Sequence, residues 1–105
     1  MTQMSVNTLN KLLKKGDVFV LDVRERMELG NGVIDSSFWI PMNEVPERLK
    51  EIPMNKKVVV YCRSGNRSEG VRLFLVQNGY DCGDVWNLEG GILAWKEIDD
   101  SIIEY

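Results

Sequence analysis

The residues best able to do chemistry stand together in Cys62-Arg63-Ser64-Gly65-Asn66-Arg67-Ser68, directly after the apolar run Val58-Val59-Val60-Tyr61. A β-branched run that ends in a cysteine, a glycine-containing loop and a new helix is an architecture for activating a thiol. The strand delivers Cys62 to a sheet edge, where loop amides and the next helix N-terminus surround its sulfur with positive potential. Arg63 and Arg67 add formal charge to that field. A free cysteine has a pKa of about 8.5, and helix termini and arginines lower it by several units. The thiolate so formed can attack a sulfane sulfur, expel a leaving group such as sulfite, and carry the sulfur as a persulfide. An acceptor thiol or cyanide then removes the outer sulfur and regenerates Cys62. Loop amides stabilise the anionic persulfide, and the arginines attract an anionic donor such as thiosulfate.

What the chain lacks narrows the chemistry further. It contains no histidine, which removes histidine general-base catalysis and His-containing metal sites. Sulfur transfer needs neither. The two cysteines, Cys62 and Cys82, make no disulfide framework and, without carboxylate help, a poor zinc site, so no metal or cofactor is expected and a reducing, cytoplasmic setting is. Cys82 stands in the turn Tyr80-Asp81-Cys82-Gly83 and reads as a bystander, or as a resolving thiol if it reaches disulfide distance of Cys62. A net charge of -3 with no basic face argues against nucleic acid as a partner. No apolar stretch approaches membrane-spanning length, and Met1 to Asn7 has no secretory-signal pattern.

These groups must be positioned by the rest of the 105 residues, a length that suits one domain with a modest core. Ser5 caps a helix with Val6, Leu9, Leu12 and Leu13 on one face, stopped by Lys14, Lys15 and Gly16. Val18 to Leu21 reads as a strand apolar on both faces, which suggests a parallel sheet covered by helices. Asp22-Val23-Arg24-Glu25 then ends it with charge. Phe38-Trp39-Ile40 is a further strand, stopped by Pro41. A short helix is expected from Glu44 to Lys50, burying Val45, Leu49 and Ile52, with Pro46 in its first turn. Ser68 to Asn78 reads as a broadly apolar, central helix ended by Gly79. Asp84 to Leu88 gives another strand, Gly90-Gly91 opens a last helix with Ile92, Leu93 and Trp95, and residues 99–105 form a tail that packs. Trp39, Trp86 and Trp95 read as packing. The alternation defines an α/β domain whose central, mostly parallel sheet carries helices on both faces. In such sheets ligands sit beyond the strand C-termini, where Asp22, Arg24 and Cys62 converge. For Asp22 and Arg24 a structural ion pair competes with substrate contact.

Four segments together resemble the single-domain rhodaneses, the thiosulfate and persulfide sulfurtransferases. They are Leu21-Asp22-Val23-Arg24-Glu25, Gly32 to Pro41, the loop Cys62 to Ser68, and Leu88-Glu89-Gly90-Gly91-Ile92-Leu93-Ala94-Trp95. The matched order covers about residues 5–96, leaving a short C-terminal tail on a single rhodanese domain. The resemblance implies that Cys62 bears the persulfide and that Arg63, Ser64, Gly65, Asn66, Arg67 and Ser68 form its cradle. Asp22 and Arg24 match the supporting strand end. It also implies a small sulfur-donor anion or persulfide as one partner and a thiol or protein acceptor as the other. The chain departs from the family pattern at Val33, where a histidine is common, and at Ser36 and Ser37, where a glycine and an alanine are usual; altered loop packing is expected there. Two other readings compete. One is a catalytically weak, partner-binding or redox-sensing module of the same fold. The other is a phosphatase or arsenate-type enzyme, against which stands the loop length: four residues separate Cys62 from Arg67, where related phosphatases have five.

Overall fold

The computed structural model describes residues 2–98 together with 102–103. In chain order the elements are β1 (Gln3–Met4), α1 (Val6–Lys15), β2 (Val18–Asp22), β3 (Val33–Ile34), β4 (Phe38–Trp39), β5 (Lys57–Tyr61), α2 (Asn66–Gln77), β6 (Val85–Leu88), α3 (Gly91–Ile98) and β7 (Ile102–Ile103). A six-residue 3-10 segment, Arg26–Asn31, lies between β2 and β3.

Side-chain alternation along β5 sets the layers. Val58, Val60 and Cys62 join one buried cluster, and Val59 and Tyr61 join another on the opposite face. A strand buried on both faces needs parallel neighbours with crossover helices, which is why its sequence is a near-continuous apolar run. β2 pairs with β5 from Val18↔Lys57 to Asp22↔Tyr61, and β6 pairs with it from Val58↔Val85 to Val60↔Asn87, both parallel. β1 and β4 complete the order β1-β6-β5-β2-β4, and β3 pairs antiparallel with β7 in a separate small sheet. One core holds Leu9 of α1 with Ile92 and Trp95 of α3; the other holds Val71 and Leu75 of α2 with Val45 and Ile52. The helices therefore cover both faces, as the alternation in the sequence requires.

Local chemistry explains where the helices begin and end. Ser5 Oγ accepts from the Thr8 N–H at 3.2 Å, and Gly16, at φ +79, closes α1 by donating to the Leu12 and Leu13 carbonyls. Two expectations need correction. Residues 44–50 do not form an α-helix but a run of tight turns with 3-10 pieces at Met42–Glu44 and Leu49–Glu51. Pro46 has no N–H for the Met42 carbonyl, which takes the Val45 N–H instead. Val45 and Ile52 are buried all the same. The second correction concerns α2, which starts at Asn66, not Ser68, and is not apolar all round. Its buried stripe is Ser68, Val71, Arg72 and Leu75, while Leu73 and Asn78 are exposed. Of the tail, Ile102–Ile103 pairs with β3; the other tail residues lie outside those described.

Candidate active site

Gly65 turns the chain from β5 into α2. Its φ of +108 lies where side chains are strained, and its N–H points back to Cys62 Sγ at 3.1 Å. Because α2 begins at the next residue, Ser68 sits in its first turn. There the Ser68 backbone N–H lies 3.4 Å and its Oγ 3.3 Å from the same sulfur. The helix N-terminus thus faces the thiol. Cys62 is only 1% exposed, with Arg63, Ser64 and Asn66 exposed around it. Burial alone pushes the thiol up. The Ser68 hydroxyl and the N–H groups of Ser68, Gly65 and Ser64 more than offset it, so the pKa lies below its ordinary value.

The other side of the loop is closed by α3. Its Ile92 and Leu93 N–H groups donate to the Cys62 and Arg63 carbonyls at 3.0 and 3.2 Å. This approach requires Gly91, at φ +58. A Cβ there would run into the Arg63 carbonyl and stand 2.6 Å from Cys62 O, and backbone atoms cannot swing aside.

Of the two loop arginines, Arg63 is exposed, whereas Arg67 binds Glu28 through two hydrogen bonds of 2.7 Å. The Arg67 guanidinium holds the Glu28 carboxyl at about 2, helped by the Glu25 N–H and opposed by burial. Its charge therefore reaches the sulfur with a carboxylate attached. Amides and a hydroxyl supply the nearest donors, not a free guanidinium.

Asp22 and Arg24 form a buried ion pair behind the loop. Arg24 Nε and Nη2 donate to the Asp22 carboxylate at 3.0 and 2.9 Å, and Tyr61 Oη donates to it at 2.8 Å. Arg24 also donates to the carbonyls of Glu28 and Gly32 at 3.3 and 2.8 Å. It thereby grips the backbone of the segment whose Glu28 side chain holds Arg67. The polar atoms of the pair are thus taken up by each other, by Tyr61 and by backbone carbonyls. Cys82 is exposed in the turn that enters the N-terminal end of β6, while Cys62 follows the C-terminal end of β5. The structure does not bring the two thiols together.

Sequence reasoning passed over three residues of this network: Tyr61, Glu28 and Asn87. Asn87 on β6 is buried; its Nδ2 donates to Gly65 O at 3.0 Å and its Oδ1 accepts from Ser68. A lone amide in the otherwise apolar stretch Val85-Trp86-Asn87-Leu88 was the available signal. Ser36 gives the family departure a physical meaning. It stands at φ +69, where the glycine usual in the pattern is unstrained, and Ser37 Oγ reaches Tyr61 Oη at 3.2 Å.

Fold and site together define the class as an α/β domain whose parallel sheet ends, at one strand C-terminus, in a cysteine faced by loop and helix amides. The rhodanese-like domain family matches residues 5–98, and the chain belongs to it. A sulfurtransferase of Allochromatium vinosum is 44% identical over 85 residues, 81% of this chain and 78% of that protein. A thiosulfate sulfurtransferase of Shewanella oneidensis is 31% identical over 94 residues, covering 90% and 91%. The crystal structure of a rhodanese-related protein from Thermoplasma volcanium superimposes with a TM-score of 0.88 at 34% identity, covering the whole of both chains.

Proposed function

We propose that the protein is a sulfurtransferase in which Cys62 carries sulfur from a thiosulfate or persulfide donor to a thiol or cyanide. The observation that supports this reading best is the convergence of the Gly65 N–H, the Ser68 N–H and the Ser68 hydroxyl on Cys62 Sγ. In the first step the thiolate forms a bond to the sulfane sulfur of thiosulfate. The bond to the sulfonate sulfur breaks and its electron pair leaves with sulfite. Cys62 now bears a persulfide whose charge sits on the outer sulfur. In the second step an acceptor thiolate bonds to that outer sulfur, and the pair of the Cys62 S–S bond returns to Sγ. No general base enters either step, in keeping with a chain without histidine. Arg63, Ser64, Gly65, Asn66, Arg67 and Ser68 form the cradle, with Asp22 and Arg24 as its support.

A phosphatase needs its loop arginine for the phosphoryl oxygens, but Arg67 is held on both sides of its guanidinium fork by Glu28. The test is intact-protein mass spectrometry after incubation with thiosulfate or a persulfide donor. One sulfur atom is expected on Cys62, removed by cyanide and absent in Cys62→Ser. Folded protein that takes up no sulfur would favour a partner-binding module.

A further inference from the structure

The hydrogen bonds of Asn87, which is 3% exposed, have a fixed direction. Gly65 O is a backbone carbonyl and can only accept, so the Asn87 atom 3.0 Å from it is Nδ2. That Nδ2 also donates to Gln3 Oε1 at 3.0 Å. Gln3 in turn must present Nε2 to the Glu69 carboxylate, 3.1 Å away, which fixes its own Oε1 toward Asn87. Both amide protons of Asn87 are thereby committed, and Oδ1 faces Ser68 Oγ purely as an acceptor. Ser68 has a single hydroxyl proton. It lies between two acceptors, Asn87 Oδ1 and Cys62 Sγ, and serves one at a time. With the proton on the Asn87 side, Ser68 Oγ turns a lone pair to the sulfur and suits a protonated thiol. With the proton on the sulfur side, it suits the thiolate.

We propose that Asn87 is a positioning residue for Cys62: its Oδ1 competes for the Ser68 hydroxyl proton, so that ionising the thiol requires Ser68 to rotate from Asn87 to the sulfur. In the thiol state one side-chain proton at each of Cys62, Ser68, Asn87 and Gln3 points along the chain toward the Glu69 carboxylate, while the second Asn87 proton stays on Gly65 O. When the thiol proton leaves to solvent, the Ser68 link alone reverses. This inference rests on Cys62 being the reactive thiol of the proposed transfer, and it deepens that reading. Once the outer sulfur is loaded, Sγ carries a bond in place of a charge and Ser68 turns back to Asn87. During delivery Sγ regains its charge and Ser68 returns.

The test is the pH dependence of iodoacetamide alkylation of Cys62 in the full chain, followed by peptide mass so that exposed Cys82 is scored separately. Asn87→Leu removes the competing acceptor at similar volume, and the Cys62 pKa should fall by about one unit, a tenfold gain in the ratio of thiolate to thiol. In a Ser68→Ala background the same substitution should have no effect, because no proton is left to compete for. General loosening of the loop would carry the amides off the sulfur and raise the pKa in both backgrounds. A pKa that stays level or rises in Asn87→Leu, or an equal fall in the Ser68→Ala background, overturns the proposal. If Asn87→Leu does not fold, Asn87→Asp replaces it. Its stronger acceptor should raise the pKa more with Ser68 present than without, and equal rises refute the coupling. Alkylation reads ionisation whether or not sulfur is transferred, so sulfur uptake by the unsubstituted protein judges the parent reading separately.

Discussion

Replacing Glu28 with Gln removes one charge from the brace that holds the cysteine loop while keeping the shape of the side chain. The folded protein holds this carboxyl at about 2, against an ordinary 4.5, chiefly through its two hydrogen bonds to Arg67. Such a carboxyl binds its proton roughly 300-fold more weakly when folded, equivalent to about 3 kcal/mol at full ionisation. The pair is partly open to water, with the Arg67 side chain 34% and the Glu28 side chain 21% exposed, and screening reduces the stabilisation to about 1–2 kcal/mol. The sign follows from the direction of the change. A depressed folded-state pKa means that the stabilisation is full above about 4.5 and disappears as the pH falls toward 2. Urea denaturation of both proteins at pH 7 should therefore separate them by about 1–2 kcal/mol. The gap should narrow below pH 4.5, nearly close at pH 2, and shrink on adding salt at pH 7. Equal stabilities at neutral pH, or a gap that stays constant down to pH 2, would refute the account of the brace.

Two substitutions test the backbone around the site. Gly91→Ala drives a methyl group into the Cys62 and Arg63 carbonyls. It should cost about 2–4 kcal/mol from overpacking and left-handed strain, read as a lower denaturation midpoint, and should raise the Cys62 pKa as the loop shifts. An unaltered midpoint would mean that α3 does not press on the loop as described. Ser36→Gly relieves the φ of +69 and, after the extra freedom gained by the unfolded chain, should stabilise by about 0.5–1 kcal/mol in the same assay. Loss of stability would show that Ser36 carries no strain.

The elements that carry the site were legible because each depends on a local signal. The run Val58 to Tyr61 is apolar at every position, and a glycine follows Cys62 within three residues, so strand, thiol and loop could be placed together. Ser5 and Gly16 marked both ends of α1. The connections that complete the site were not legible, because their partners lie far apart in the chain. Glu28 and Arg67 are 39 positions apart, and Gln3 and Asn87 are 84 apart. Nothing in either sequence neighbourhood announces the other. The charged strand end Asp22 to Glu25 illustrates the boundary. Its ion pair could be foreseen from spacing, but its grip on the Glu28 and Gly32 carbonyls depends on where the 3-10 segment Arg26–Asn31 folds back. β1, β3 and β7, two residues each, are too short to leave any periodicity.

The outermost strands of the main sheet, β1 and β4, each contribute a two-residue ladder. A flank this short offers an incoming chain almost no free peptide groups on which to extend the hydrogen-bonded row, and Pro41, just past β4, withholds one donor more. The β-branched stretch through Val58 to Tyr61 lies third of five, screened on either side by its neighbours. Growth of fibrils by stacking intact molecules edge to edge is therefore disfavoured by the geometry of the sheet itself.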